Sequence, residues 1–503
     1  MKKIILLFIL TFTIQGIYSQ PCLPEGITFM TQAEIDSFQI NYPNCTEIEG
    51  SVVIGDWQGT TDINNLNGLS VLTSFGGSVR IRYCDLLTSL AGLDNITSIG
   101  EDLIIEYTDG LTSLTGLGNV NSIGGDLNIR LNSSMVSLYG IENLDSISGS
   151  LLVYRNYVLT SISGLDSLSS INGGVSIIFN DALLSLDGID NIDHAYIEDL
   201  SIHDNASLSY CEVQSICDYL VSPNGAVNIY KNGYGCQNPA QIANSCGNPM
   251  PCLPYGNYYL CYQTEIDNFQ TNYPGCTELM GDVTVEGYDI TNLDSLIGLI
   301  SIEGNLNMSC INPAGFPCNP ILNSILGLAN LTSIGGDLYL QGDTSLTSLE
   351  GLEGLTSIGG SLAIEWNPSL TTLEALSNLT YINGGFYLGS GYPGNSNALT
   401  SLAGLENLTA VGNKLSIFNN PYLTSIQSLE NVTSIGDDLS IHNNDSLISL
   451  SGLDNIDAGS INDLNIYFNT RLRIFIKRIY FYCFMINNFE IYSYFSCYII
   501  NSR

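Results

Sequence analysis

Residues 111–129 read LTSLTGLGNVNSIGGDLNI, and residues 399–417 read LTSLAGLENLTAVGNKLSI. Both belong to a unit of 24 residues that recurs along most of the chain. A fixed period of this size predicts a solenoid, because one unit cannot bury its apolar face without stacking on its copies. The central aliphatic residue keeps the interval within three runs: Leu66, Leu90, Leu114, Leu138, Ile162 and Leu186; Ile325, Leu349 and Leu373; Leu402, Ile426 and Leu450.

Each unit is expected to supply short parallel strands around an aliphatic core. The segment from Gly124 to Ile129 alternates small or polar residues with aliphatic ones, a period that is typical of a strand. Two further columns mark the corners, since glycine permits positive φ and asparagine can bond backbone groups in an internal ladder. These columns are Gly92, Gly116, Gly140, Gly164 and Gly188, and Asn132, Asn156, Asn180 and Asn205.

The opening of the chain occurs twice. Residues 21–54 begin PCLPEG and contain NYPNCTEIEG, and residues 251–285 begin PCLPYG and contain NYPGCTELMG. We therefore predict two tandem solenoid domains, residues 21–249 and residues 250–470, the second without a C-terminal cap. Short capping helices are expected at Thr31 to Asn41, at Thr264 to Asn272 and after Leu208, because the open ends of parallel sheets need cover.

The two ends of the chain differ from the repeats. Residues 1–20 combine two lysines with a short apolar stretch, which predicts a signal peptide and a secreted or cell-surface protein. Residues 21–470 contain no apolar run long enough for a transmembrane segment. Residues 471–503 abandon the repeat and reverse the sign of the charge, which predicts a frameshifted or truncated gene. The competing interpretation is a hydrophobic anchor, which the interspersed charges fit poorly.

The repeat region is strongly acidic. Residues 21–470 hold 6 basic and 48 acidic residues, a net charge of about -42. Such a field repels nucleic acid and anionic membranes. It can attract cations, cationic partners or calcium, and the competing interpretation is that it only keeps the protein soluble.

The chain has 14 cysteines, and in an exported protein these predict disulfides. Cys22 and Cys45 bracket one opening and Cys252 and Cys276 bracket the other, so each pair is expected to bridge an N-terminal cap. The four that follow the last repeat of the first domain allow three pairings. That group is Cys211, Cys217, Cys236 and Cys246, and it is expected to form two bridges. Cys310 and Cys318 flank a local insertion, which they are expected to close as a disulfide, while Cys84 and Cys261 have no counterpart.

A binding face is expected where the repeats vary in sequence. The residue after the inward Leu-x-Ile of each strand changes freely from turn to turn, and solenoids bind ligands through such outward columns. Unconstrained drift of solvent-facing positions is the equally weighted alternative. The candidate ligand-binding residues are Glu106, Arg130, Tyr154 and His203 in the first domain, and Glu365, Phe418, His442 and Tyr467 in the second.

No spacing of residues indicates a catalytic, metal or cofactor site. His203 and His442 share one repeat position, where ordinary strand histidines are favoured over pH-sensitive contacts. Another column suggests weak calcium binding, although isolated carboxylates are more often a solvated face. It consists of Asp102, Asp126, Asp337 and Asp438.

The cysteine-bracketed cap, the repeat L-x-x-L-x-G-L-x-N-[ILV]-x-S-I-G-G-x-L-x-I and the cysteine-rich C-terminal cap resemble the receptor L domain. This leucine-rich-repeat-like β-helix family implies a right-handed parallel β-solenoid that binds extracellular proteins. The resemblance covers residues 45–246 and 276–470, without the furin-like module or kinase of growth-factor receptors. The tandem pair and the lysine-led signal are similar to secreted surface proteins of Bacteroidota-type bacteria.

Two functions are compatible with this fold class, which is mainly β. The leading hypothesis is a non-enzymatic exported module for adhesion to, or recognition of, a protein or glycan. The alternative is a secreted polysaccharide-degrading β-helix enzyme, which would need clustered carboxylates with a basic residue or a metal.

Overall fold

The computed structural model describes residues 21–57, 59, 61–248, 252–254, 256–309, 318–391, 396–472, 482–485 and 495–498. The expected signal peptide, Cys310 and most of the anomalous tail lie outside this part of the chain. The chain forms two compact units that divide between Tyr196 and Ile197. The boundary between tandem domains at residues 249 and 250 rests on the sequence duplication and stays a prediction.

Unit 1 contains two parallel sheets, as expected from the alternation of small or polar residues with aliphatic ones in each repeat. The strands of its large sheet are Ile27–Phe29, Val52–Ile54, Val79–Arg82, Leu103–Glu106, Leu127–Arg130, Leu151–Tyr154 and Val175–Ile178. The strands of its small sheet are Pro21–Cys22, Glu47–Ile48, Ser74–Phe75, Ser98–Ile99, Ser122–Ile123, Ser146–Ile147 and Ser170–Ile171.

Unit 2 repeats this architecture. Leu200–His203 pairs with Val227–Tyr230, also in parallel. Its large sheet is built from Tyr258–Leu260, Val283–Val285, Leu306–Met308, Leu338–Gln341, Leu362–Glu365, Phe386–Gly389, Leu415–Phe418, Leu439–His442 and Leu464–Tyr467. Its small sheet is built from Glu278–Leu279, Ser301–Ile302, Ser333–Ile334, Ser357–Ile358, Tyr381–Ile382, Ala410–Val411 and Ser434–Ile435. In the tail, Tyr482–Met485 and Phe495–Tyr498 pair antiparallel.

Short helices lie where caps were expected. The first cap is broken into two, because the Ser37 hydroxyl bonds the Ala33 carbonyl at 2.6 Å, and Thr31 and Glu34 form a capping box at its start. The α-helices are Gln32–Asp36 and Phe38–Asn41 in unit 1, and Gln214–Val221, Pro239–Ser245, Gln263–Asp267 and Phe269–Asn272 in unit 2. The 3-10 turns are Asn67–Leu69, Ser163–Leu165, His194–Tyr196, Asp294–Leu296, Leu326–Leu328, Glu374–Leu376, Gln427–Leu429 and Ala458–Ser460.

Disulfides hold these caps. Cys22 pairs with Cys45 and Cys252 with Cys276, as expected for the two openings. Of the three pairings left open, the structure has Cys211 with Cys236 and Cys217 with Cys246. Cys318 is disulfide-bonded, and Cys84 and Cys261 are free and buried.

The second cap buries a carboxyl group. Glu265 accepts hydrogen bonds from the backbone N–H of Cys261 at 2.7 Å and from the side chain of Asn238 at 3.3 Å. Burial raises the pKa of Glu265 to about 7. The equivalent capping residue in unit 1, Glu34, is exposed.

The repeated leucine column forms the core, and every member is at most 3% exposed. At the corners, Gly92, Gly116, Gly140 and Gly188 have φ between 107° and 118°. A Cβ atom at Gly116 would clash with the backbone of Leu90, so glycine is required there. Gly164 departs from the predicted bend, because its turn is the 3-10 helix Ser163–Leu165.

A second left-handed position was not predicted. After many of the large-sheet strands the next residue has positive φ without being glycine, for example Tyr107 at 51° and Arg155 at 55°. This residue turns the chain so that the following side chain points inward. The inward side chains are those of the asparagine ladder.

The asparagine ladder is internal, as predicted. Asn156 is fully buried; its Nδ2 donates to the Ile129 carbonyl at 2.9 Å, and its Oδ1 accepts the N–H of Asn132 at 3.2 Å. Each ladder side chain therefore links successive turns and satisfies backbone groups that would otherwise be buried without partners. Unit 2 continues the pattern with Asn319, Asp343, Asn367, Asn397, Asn420, Asn444 and Asn469.

Asp343 is the exception in this ladder. Its Oδ1 accepts from Asn319 Nδ2 at 2.8 Å, and its backbone N–H donates to Asn367 Oδ1 at 2.9 Å. Its Oδ2 is buried and has no hydrogen-bond partner in the described part of the chain. Burial raises the pKa of Asp343 to about 8, so the carboxyl is neutral at physiological pH.

Candidate functional site

The outward column lies at the ends of the large-sheet strands. In unit 1 the register aligns Glu106 with Arg130 and Arg130 with Tyr154, so three of the predicted residues occupy neighbouring strands. The same register adds Arg82 beside Glu106. We call this surface, with Arg80, Asn128 and Arg155, the arginine face.

Glu106 departs from the expectation of a solvent-facing residue, since it is only 5% exposed. Its Oε2 accepts from Arg130 Nε at 2.7 Å and lies 2.5 Å from Arg130 Nη2. Arg80 Nε lies 3.5 Å from Glu106 Oε1, an ion pair without hydrogen-bond geometry. Two guanidinium groups thus cover the carboxylate, because a buried charge is tolerated only when it is paired. The arginine face therefore fixes the Glu106 side chain and leaves little of it exposed to a ligand.

Arg82 and Arg155 remain without a carboxylate partner among the described residues. The Nε atom of each is buried and makes no hydrogen bond in this part of the structure. Arg155 instead places its guanidinium 5.0 Å from the ring centre of Tyr154 and 5.2 Å from that of Phe179. These cation–π contacts orient the side chain while leaving most of its five donors available.

The arginine face holds most of the positive charge of the repeat region. The six basic residues between residues 21 and 470 all lie in a large-sheet strand or directly beside one. Four of them are the arginines of this face, against one carboxylate. The other two are lysines of unit 2 that are paired individually, Lys231 with Glu286 at 3.2 Å and Lys414 with Asp438 at 3.8 Å.

The predicted aromatic residues of unit 2 form stacked columns. The ring centres of Phe418 and His442 are 5.5 Å apart, and those of His442 and Tyr467 are 4.6 Å apart. His203 stacks on Tyr230 at 4.3 Å. Rings that stack on each other cover their faces and offer mainly edges to a ligand, so these columns stabilise the sheet.

The titratable candidate residues of unit 2 are partly buried. Burial and the nearby charge of Lys414 lower the pKa of His442, and burial raises the pKa of Glu365. His203 is in turn oriented by Asp204, whose Oδ2 lies 2.8 Å from its Nδ1.

The column suggested for calcium has a different role in the structure. Asp102 Oδ1 accepts the backbone N–H of Asp126 at 2.9 Å, and Asp126 Oδ1 accepts that of Ser150 at 2.7 Å. Asp337 bonds the N–H of Ser361 in the same way, while Asp438 contacts Lys414. These carboxylates join successive turns at the start of the strands. Within the described residues there is no group of three His, Cys, Asp or Glu side chains that could hold a metal ion.

One known family matches part of the chain. Residues 97–221 match the family model for the receptor L domain, and this range contains the strands that carry Glu106, Arg130 and Tyr154. This segment is a receptor L domain. The receptor L domain is a ligand-binding family, and together with the disulfides it indicates an extracellular protein. No curated protein matches the chain. Among the described helices, none has the length and apolar character needed to cross a membrane.

Sequence reasoning missed three of the four arginines of the arginine face. Arg82 lies one strand before Glu106, the first residue of the predicted outward column. Arg155 follows Tyr154 and so lies one residue beyond that column. Arg80 occupies the other outward position of its strand. The available signal was the coincidence of scarce basic residues with strand positions. Four arginines within residues 80–155 of so acidic a chain already indicated a common surface.

Proposed function

We propose that this protein is an exported, non-enzymatic module that recognises an extracellular protein or glycan through the arginine face of its first receptor L domain. The observation that carries the proposal is the gathering of four arginines on one sheet face of a strongly acidic chain. Scattered surface charges have no reason to share strand positions, whereas a recognition surface does.

The shape of the face supports binding rather than catalysis. Its carboxylate, Glu106, is buried under Arg80 and Arg130, so it is poorly placed to exchange protons with a substrate. A glycoside hydrolase needs two carboxyl groups that flank the scissile bond. Surface retention and adhesion are consistent with the disulfide-bonded caps and remain part of the proposal.

The test is a binding screen of the full-length protein on an oligosaccharide array and on a displayed peptide library. We expect specific binding that falls at least tenfold in the double variant Tyr154→Ala with Arg155→Ala. Tyr139→Ala is the matched control, because Tyr139 is 63% exposed and lies outside the sheet strands. Equal binding by the two variants, or release of oligosaccharides from the array, would refute the proposal.

A further inference from the structure

The arginine face has unused hydrogen-bonding capacity of both kinds. Arg82 and Arg155 have buried Nε donors without partners, and Asn128 on the same face has a buried Oδ1 acceptor without a partner in the described part of the chain. The amide of Asn128 lies on the strand that ends in Arg130. These three atoms are themselves buried, so a ligand would contact the parts of Arg82 and Arg155 that are exposed.

Charge defines the sign of that ligand. Four guanidinium groups face one carboxylate, which leaves the arginine face positive within a chain whose repeat region has a net charge of about -42. Guanidinium groups match carboxylate and sulfate groups because their N–H donors form a planar fork. An anionic group is therefore the complementary partner for Arg82 and Arg155.

The size of the face limits the size of the ligand. Neighbouring strands lie about 4.8 Å apart, so Arg82 and Arg130 are separated by roughly 10 Å along the sheet, and Arg155 is one strand further. Asp102 and Asp126 lie at the opposite ends of the same strands. A long polyanion would extend beyond the arginines into acidic surroundings, whereas a short one would not, since charges are screened over about 8 Å.

The chemistry of the face favours a sugar over a peptide. The four arginines offer only donors, and an acidic sugar supplies carboxylate or sulfate oxygens as acceptors. Tyr107 is 39% exposed although it stacks on Tyr83 at 4.9 Å, so the edge of its ring can contact the apolar side of a sugar. A peptide would bring additional N–H donors to a face that has few free acceptors.

We infer that the arginine face binds a short acidic oligosaccharide, in which Arg82 and Arg155 bind the carboxylate or sulfate groups. This inference rests on the proposed function, since it names the ligand class of the same surface. Arg130 and Arg80 hold Glu106 and shape the floor of the site.

The experiment measures binding of the full-length protein to uronate-bearing oligosaccharides, sulfated oligosaccharides, their neutral counterparts, a long polyuronate and an oligoglutamate peptide. We expect the short acidic sugars to bind at least tenfold more tightly than the other probes. The double variant Arg82→Gln with Arg155→Gln should lose at least tenfold in affinity. The corresponding double change to lysine should recover part of it, because the charge remains while the fork is lost. Lys414→Gln is the control for loss of a basic residue at another strand.

The outcomes separate the two proposals. Preference for uronate over sulfate, or the reverse, supports the inference and identifies the anionic group. Equal binding of neutral and acidic sugars, or tighter binding of oligoglutamate, would overturn it while leaving the binding module intact. Absence of binding to every probe and to the displayed peptide library would overturn both. Thermal unfolding of the glutamine variant should match that of the wild type, so that a loss of binding reports on the face alone.

Discussion

Replacing Asp343 with asparagine tests the hydrogen-bond ladder of unit 2 directly. Asp343 is fully buried, and its Oδ2 lacks a partner among the described residues. An asparagine at this position would carry an Nδ2 donor in place of Oδ2. In the neighbouring turn, the corresponding Nδ2 of Asn367 donates to the Leu340 carbonyl at 2.8 Å. We therefore expect Asp343→Asn to stabilise the protein, and to do so increasingly as the pH rises.

The magnitude follows from proton linkage. Burial raises the pKa of Asp343 to about 8 in the folded state from 3.8, so the folded state holds the additional proton between these values. The stability of the wild type consequently falls as the pH rises through this window. The free energy of unfolding falls by about 1.36 kcal/mol for each pH unit over which the folded state holds this additional proton. Between pH 5 and pH 8 the fall is therefore about 3 to 4 kcal/mol. The asparagine variant lacks this contribution.

Thermal unfolding at pH 5 and pH 8 measures the effect. The gap in Tm between variant and wild type should widen by roughly 10 °C between the two pH values, since 1 kcal/mol shifts the Tm of a unit of this size by about 2–4 °C. Asn367→Asp is the matched control and should show the opposite trend. A Tm difference for Asp343→Asn that is equal at both pH values would refute a neutral buried carboxyl in the ladder.

Further predictions concern the corners and caps. Gly116→Ala should destabilise the protein by several kcal/mol in urea unfolding because of positive φ and contact with the preceding turn, whereas Gly118→Ala, with open space at the Cβ position, should be within about 1 kcal/mol of the wild type. Removing the Cys211–Cys236 disulfide by alanine substitution should lower stability by about 3.5 kcal/mol, given the 25-residue separation, and an unchanged urea midpoint would contradict this. Burial raises the pKa of Glu265 to about 7, so the wild type should lose about 2 kcal/mol of stability between pH 5 and pH 7. The Glu265→Gln variant should not show this loss, and parallel pH profiles of the two proteins would disprove the prediction.

The sequence predicted the architecture well because its period reports which side chains point inward. Leu114 and Asn156 recur at fixed positions, and their burial follows from stacking identical turns. The receptor L domain resemblance rested on the same positions and was confirmed for residues 97–221.

The sequence predicted the candidate site less completely because outward positions depend on their neighbours. Glu106 is buried only because Arg80 and Arg130 fold over it, which a single column cannot reveal. Where a left-handed residue follows a strand its type varies, as Tyr107 and Arg155 show, so no residue preference marked it. Gly164 shows the converse, since a glycine that shares the repeated column adopts a 3-10 turn instead.

The segment between a large-sheet strand and the next ladder residue is also where two turns of unit 2 gain residues. In unit 2, Leu306 pairs with Leu338 and Phe386 with Leu415, so two turns are longer than the usual 24 residues. In both, the additional residues enter between the end of a large-sheet strand and the next ladder residue, Asn319 or Asn397, and the ladder bonds persist. This segment therefore tolerates additional residues, and a foreign sequence inserted there should leave the ladder bonds of Asn319 or Asn397 in place.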